Sequence, residues 1–315
     1  MTVVFSLVAI ASVYLLYRYV SKWIESLKAM AAPPPPEAPE GVTVLRDIEF
    51  TRTAQGSLLL DVYLPTTRSN TPLPVLMFIY GGGWAMGNKH QVTMLNGQRF
   101  SQHGYAVVSI SYRLSDVATF PAQIHDCKAA LRWVRQEAKT YGFNPLKIGV
   151  FGGSAGGHLS ALLGTSAGVA DLEGDLPTNQ QQFTGPVQAV VDFFGLTDLS
   201  QADSQRRLIS HKYDSKFSFA TNFLGGLVSQ MVDQVKRANP INYIKPSMPP
   251  FLIIHGKQDR VVPVGQSEIL HRSLLAQGNL SDLHIIEGAG HTTTKHYRTD
   301  ELFQRIKTFF DTHLK

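Results

Sequence analysis

The sequence predicts an α/β fold with a mostly parallel central sheet and flanking helices. Three observations carry this expectation. Short continuous apolar runs, such as 75–80 and 105–112, have strand length and suit strands covered on both faces. Between such runs the apolar residues recur at helical spacing, as at Ile124, Cys127, Leu131, Val134 and Ala138. A glycine-rich turn at 152–157 joins a strand-like run to a small-residue helix. Strands alternating with helices build a parallel sheet, because each parallel crossover needs a covering element.

The 315-residue chain suits one large domain preceded by a different kind of segment. Residues 3–17 are almost wholly apolar. As a helix they would be about 22 Å long, short of a bilayer core, but Arg18 and Lys22 could snorkel and let Tyr19, Val20, Trp23 and Ile24 extend the span. We therefore expect residues 1–28 to be an uncleaved membrane anchor. The positive charges Arg18, Lys22 and Lys28 follow the run and place the remainder of the chain in the cytoplasm. The rival reading is a cleaved signal segment with Ala29-Met30-Ala31 as the cleavage site, leaving a secreted or periplasmic protein. No Lys or Arg precedes the apolar run, and the stretch after it is long and charged, which favours the anchor. Residues 29–40, with Pro33 to Pro36 and Pro39, read as a stiff linker without helix.

The folded domain is expected over 41–315. Runs 42–51 and 58–64 alternate and read as an antiparallel pair with Gln55-Gly56 in the turn. Strands follow at 75–80 and 105–112, and Pro121 opens a helix through Lys139. Further strands are expected at 147–151, 187–194, 251–255 and 283–287, with a helix from Ala155 and a last helix over 299–313. Residues 198–243 break the alternation and read as a small cap-like insertion.

Composition excludes several classes. Hydrophobic residues make up 43% and charged residues 17%, as in globular rather than disordered chains. The net charge of +5 is scattered, with no basic run or nucleic-acid module, so no nucleic acid partner is expected. The single cysteine, Cys127, falls on the apolar face of a helix and reads as a core residue. No Cys/His cluster has metal spacing, and no metal or cofactor is called for.

The chemistry concentrates in Gly152-Gly153-Ser154-Ala155-Gly156-Gly157, which contains G-x-S-x-G directly after a strand. In a sharp strand-to-helix turn the glycines two residues either side of the serine avoid collisions with strand and helix. Ser154 then stands at a helix N-terminus, where amides favour negative charge. A phosphate loop would need Lys after the glycines, and none follows. A serine nucleophile needs a base. His291, after Gly288-Ala289-Gly290 and the last core strand, lies at the carboxyl edge of the sheet, where sites assemble. His158 diverges along the helix away from Ser154, His255 ends a strand among loops, and His125 lies on the Cys127 helix; all three read as structural. Asp259 follows the strand 251–255 and sits between serine and histidine in the chain, the order Ser, Asp, His. Asp198 is the other post-strand candidate and reads as a loop brace. Gly81-Gly82-Gly83-Trp84 follows a strand and can bring backbone amides against a carbonyl.

Together, Tyr80-Gly81-Gly82-Gly83-Trp84, the elbow, His255-Gly256-x-x-Asp259 and Gly290-His291 resemble the hormone-sensitive-lipase-like carboxylesterases of the α/β-hydrolase fold. The nearest resemblance is to the branch with bifunctional feruloyl and acetyl-xylan esterases, supported by Ser111-Tyr112-Arg113-Leu114 and Phe120-Pro121-Ala122-Gln123-Ile124. The resemblance implies a Ser154–Asp259–His291 triad, with the amides of Gly82, Gly83 and Ala155 as oxyanion hole and Trp84 beside a small-molecule ester. One departure stands out: the family's loop-bracing histidine is Tyr80 here. Two further readings share these features. An arylformamidase-like amide hydrolase has the same glycine loop and triad. From another class, an inactive hydrolase scaffold could serve as a membrane-tethered binding protein.

Overall fold

The computed structural model describes residues 33–67, 70–205, 212–291 and 294–315. The expected anchor over 1–28 lies outside the described residues, as does the first part of the linker. Among the described residues no helix is long and apolar enough to cross a membrane.

An antiparallel hairpin of β1 (Val42–Thr53) and β2 (Gly56–Pro65) opens the domain. The apolar runs become β3 (Leu73–Ile79), β4 (Ala106–Ile110), β5 (Phe143–Gly153), β6 (Ala189–Phe193), β7 (Phe251–Gly256) and β8 (Ser281–Ile286). They form an eight-stranded sheet in the order β1-β2-β4-β3-β5-β6-β7-β8. From β4 to β8 every pairing is parallel, whereas β2 runs antiparallel to both β1 and β4. The burial follows the sequence pattern. Strands β3, β4, β6 and β7 are buried along their whole length, while the alternating edge strand β1 buries one face.

The helices are α1 (Ala122–Gln136), α2 (Ala138–Tyr141), α3 (Ala155–Thr165), α4 (Phe219–Leu224), α5 (Val232–Ala238), α6 (Gly265–Ala276), α7 (Thr294–Tyr297) and α8 (Asp300–Leu314). Two of them cover opposite faces of β5 and β6. Gly149 of β5 abuts Phe310 and Leu314 of α8, so closely that an added Cβ would lie 2.8 Å from the Phe310 ring. Val190, paired with the next residue along, Val150, meets Gly164 of α3. The last helix is capped at Thr299, whose hydroxyl accepts the Leu302 N–H.

Several boundaries differ from the sequence expectation, and β5 begins at Phe143, four residues earlier than expected. The helix expected over 121–139 begins at Ala122, with Pro121 as its cap residue, and ends at Gln136. A break at Glu137 then separates the short α2. Tyr105 and Tyr112 are buried but fall outside the β4 ladder, because apolar side chains continue past its last backbone pair. The linker residues 33–40 contain no helix, yet they are held to the domain: Asn88 donates to the Pro33 carbonyl at 3.1 Å, and Arg46 donates to that of Pro36.

Residues 198–243 contribute no strand among the described residues. Leu199, Ala202, Ala220, Phe223 and Ala238 are nevertheless fully buried, so this segment packs into the main core.

Candidate active site

Four loops at the carboxyl edge of the parallel strands build the site: those after β3, β5, β7 and β8. Ser154 sits between β5 and α3 with φ 57° and ψ −119°, an unfavourable region for a non-glycine residue. Close backbone approach enforces this turn. A Cβ on Gly152 would lie 2.4 Å from the Ile79 carbonyl oxygen, and one on Gly156 only 2.0 Å from the same atom. Gly157 presses on the Asp192 carboxylate, where a Cβ would lie at 2.3 Å. The Ser154 N–H donates to the Phe193 carbonyl at 2.8 Å, which ties the elbow to β6.

The structure brings the three expected side chains together. His291 Nε2 lies 2.9 Å from Ser154 Oγ, and His291 Nδ1 lies 2.6 Å from Asp259 Oδ2. The other Asp259 oxygen accepts the N–H groups of Val261 and Val262 at 2.8 and 2.9 Å. Burial by itself raises the Asp259 carboxyl, but hydrogen bonds from His255 and His291 outweigh it and hold the group well below the usual carboxylate range. It is therefore ionised at neutral pH and suited to orient an imidazole. The loops bearing Asp259 and His291 are joined where the Gln258 N–H donates to the Ala289 carbonyl at 2.9 Å.

Gly82 and Gly83, at φ 119° and 61°, place the loop after β3 beside the elbow. Gly81 approaches it so closely that a Cβ would lie 2.6 Å from the Gly153 carbonyl oxygen. Among the described residues neither the Gly82 nor the Gly83 N–H has a backbone acceptor, while the Gly82 carbonyl accepts from Ala85 and Met86. Ala155 is the first residue of α3, so its amide has no partner within the helix.

Trp84 borders the cavity but is only 1% exposed. Its indole stacks on Phe223 at 4.2 Å and donates to His158 Nδ1 at 3.2 Å. His158 Nε2 in turn meets the Ala238 carbonyl at 2.8 Å, and burial pushes this imidazole down to about 4. His158 thus remains uncharged as an acceptor in the core, away from Ser154. Tyr80, in place of the family's histidine, makes a reciprocal pair with Tyr112. Each hydroxyl donates to the other's carbonyl, at 3.2 and 3.1 Å, and the rings stack at 4.2 Å. The Asp198 carboxylate accepts from Ser200, Gln201 and Asn239 and braces its own loop. His125 contacts the Asp171 carbonyl at the surface, and Cys127 is fully buried in α1.

Two participants were not anticipated. His255 Nε2 lies 3.4 Å from Asp259 Oδ2 and 3.0 Å from the Val262 carbonyl, which can only accept. Its Nδ1 meets Ser267 Oγ at 2.7 Å. The spacing His255-x-x-x-Asp259 signals such a contact only once the turn after β7 is known. Phe194, at φ 44°, sets its ring edge-on to His291 with centroids 4.8 Å apart. Nothing in the apolar run 187–194 distinguishes it.

The serine opens into a cavity of about 320 Å³. Leu95, Phe194, Leu196, Phe219 and Val262 contribute to its walls, together with Tyr213. Among the described residues its lining includes no Asp, Glu, Lys or Arg, and no metal-binding cluster of His, Cys, Asp or Glu is present among them anywhere in the domain.

Comparison with known proteins shows the family and the fold. The BD-FAE family profile matches residues 60–274. Esterase LipQ of Mycobacterium tuberculosis is 34% identical over 224 residues, 70% of this chain and 50% of that protein. A truncated carbohydrate esterase from gut microbiota superposes with a TM-score of 0.78 at 30% identity, covering 89% of this chain and 98% of its own. Esterase 2 of Thermogutta terrifontis, in a form phosphonylated by sarin, superposes with a TM-score of 0.68 at 25% identity over 88% of this chain and 94% of its own. The chain spans about half the length of the curated relatives it matches. The architecture is the α/β-hydrolase fold.

Proposed function

Because this chain belongs to the BD-FAE family, within the hormone-sensitive-lipase-like carboxylesterases, we propose that it hydrolyses small, uncharged carboxylic esters through a covalent acyl-enzyme on Ser154. The observation that carries this reading is the continuous hydrogen-bond chain Ser154–His291–Asp259 at a strained elbow. His291 takes the hydroxyl proton as Ser154 Oγ attacks the ester carbonyl. Asp259 holds the imidazole with Nδ1 protonated and stabilises the imidazolium. The carbonyl oxygen, now an oxyanion, receives the amides of Gly82, Gly83 and Ala155, each worth about 3 kcal/mol in the barrier. Collapse expels the alcohol, which leaves with the proton from His291. Water, deprotonated by His291, then attacks the acyl-enzyme, and the carboxylic acid is released as Ser154 regains its proton.

The apolar cavity favours an apolar acyl or alcohol group over a polysaccharide, which needs many hydrogen-bonding partners. No cofactor enters the reaction. Turnover of p-nitrophenyl acetate and butyrate by the wild type and by Ser154→Ala tests the assignment. We expect loss of at least about a thousandfold in the variant with the fold retained; undiminished turnover would remove Ser154 from the mechanism. Rates on an acetyl ester and a matched anilide separate ester from amide preference.

A further inference from the structure

The cavity mouth carries an apolar rim in an otherwise polar neighbourhood. The lining residues Val261, Phe219 and Met86 are 53%, 48% and 40% exposed, and Phe217, two residues before Phe219 in the chain, is 96% exposed. For aromatic and aliphatic side chains gathered at one opening this signals a contact surface. The rim comes from three separate segments held as one body. The Phe219 ring lies over Gly83, where a Cβ would come within 2.5 Å of it. Tyr213 donates to the Val261 carbonyl at 2.6 Å, tying the segment before α4 to the loop after β7. Met86 follows the glycine loop and closes on Gly82, whose carbonyl accepts its N–H at 3.1 Å.

Charge accompanies the apolar groups. Lys212, Lys216 and Arg260 are exposed beside Phe217 and Val261, and they outnumber the one carboxylate of that segment, Asp214. Basic side chains interleaved with large apolar ones suit a surface that is apolar in depth and anionic on top, which is the interface of an acidic phospholipid bilayer.

The chain itself indicates the occupant. The described residues begin at Pro33, whose carbonyl accepts from Asn88 and contacts His90 Nδ1 at 3.2 Å. Asn88 caps the 3-10 helix Lys89–Leu95, and Gln91, Met94 and Leu95 of that helix line the cavity. Met86 is two residues before Asn88. Pro33, which follows the apolar run 3–17 in sequence, is therefore held against the start of a helix that contributes to the cavity lining. An apolar run in the sequence before this point and an apolar, basic rim suit the same bilayer surface.

We propose that this rim docks on the surface of an anionic bilayer, so that the cavity draws apolar esters directly from the membrane. The docking is independent of the chemistry, whereas the choice of substrate rests on the ester-hydrolase reading above.

The test uses the whole 315-residue chain, in which Cys127 is buried and stays unlabelled. Phe217→Cys, outside the cavity lining, carries an environment-sensitive nitrobenzoxadiazole probe. Leu146→Cys, 77% exposed near the start of β5 and so at the opposite edge of the sheet, carries the control probe. With phosphatidylcholine vesicles containing phosphatidylglycerol, we expect a blue shift at 217 and none at 146, and a weaker shift at 217 without the anionic lipid. No shift at 217, or equal shifts at both positions, overturns the proposal. So does a concentration-dependent shift at 217 in the absence of vesicles, which would assign the face to a second copy of the chain. The double variant Lys216→Glu, Phe217→Ser should hydrolyse a long-chain fluorogenic ester held in the anionic vesicles roughly fivefold more slowly, with p-nitrophenyl acetate turnover unchanged; equal rates on the vesicle-borne ester also overturn it. If the wild type fails on p-nitrophenyl acetate, the ester-hydrolase reading falls while the probes still decide the docking.

Discussion

Asp192 should make the stability of this domain fall as pH rises, and Asp192→Asn should remove that dependence. The residue lies in the centre of the sheet, paired with Gly152 on β5 and Ile253 on β7. It is fully buried. One carboxylate oxygen accepts the Gly195 N–H at 2.9 Å, and the other has no partner among the described residues. Burial raises the carboxyl to about 7, against the opposing influence of His255 and the Gly195 amide. An unfolded chain releases this proton near 3.8. Between the two values the folded state holds one proton more than the unfolded state, so stability falls with rising pH by about 1.4 kcal/mol per unit. The contribution is intact below the unfolded value and lost as pH passes through the folded one. From pH 5 to pH 7 the loss is about 2 kcal/mol, and it levels off near about 3 kcal/mol by pH 8. The asparagine keeps the acceptor for Gly195 and cannot ionise. Urea unfolding of both proteins at pH 5 and pH 8 gives the comparison, with the wild type losing about 3 kcal/mol more than the variant across this interval. A difference below about 0.5 kcal/mol would show that the Asp192 environment stabilises the charged form, and the argument from burial would be refuted.

Three further outcomes follow from contacts at the site. Gly156→Ala drives a methyl to within 2.0 Å of the Ile79 carbonyl oxygen, backbone against backbone. It should cost about 1–3 kcal/mol in unfolding and, by displacing Ser154, about a hundredfold in kcat/KM. His255→Phe removes a donor 3.4 Å from Asp259 and should lower kcat about tenfold with KM unchanged, while His255→Gln, which keeps a donor, should recover part of it. A purely structural histidine would show both variants losing thermal stability with kcat intact. Tyr80→Phe deletes the 3.2 Å hydrogen bond to the Tyr112 carbonyl but keeps the ring stack, so urea unfolding should register a loss of about 1 kcal/mol and esterase activity should stay within about twofold.

Much of the fold was legible because its signals are local. A strand buried on both faces must be apolar throughout, so β3, β6 and β7 announce themselves as runs. The elbow was legible for a steric reason: at Gly152 and Gly156 no side chain fits against Ile79, and that constraint is written into the sequence as glycine. His291 and Asp259 could be picked out by their place after strands, since the carboxyl edge gathers such loops. Where a contact joins distant segments the sequence is silent. Asp192 sits inside the run Val190-Val191-Asp192-Phe193 and looks like any interruption, because its burial depends on α3 and on the turn after β6. Trp84, with an aromatic side chain beside the glycine loop, reads as a substrate contact. It does border the cavity, while Phe223 and His158 hold its indole from elements far along the chain.

The same non-local packing links the chemistry to the substrate cavity. Gly83 has a positive φ, which presents its amide, and it also has no side chain, which lets the Phe219 ring settle against its backbone. The glycine loop and the cavity wall therefore share one contact. Phe194 does the same on the other side, since its ring faces His291 while also lining the cavity. Under the proposed mechanism, a substrate group that pushes on either ring also pushes on Gly83 or His291, so tolerance for acyl size would be coupled to their alignment rather than set by volume alone. This coupling is why a serine elbow can be read from a pentapeptide while the preferred ester cannot. The nucleophile depends on glycines beside it in sequence; the fit depends on Phe194 and Phe219, which only the folded chain brings to Ser154.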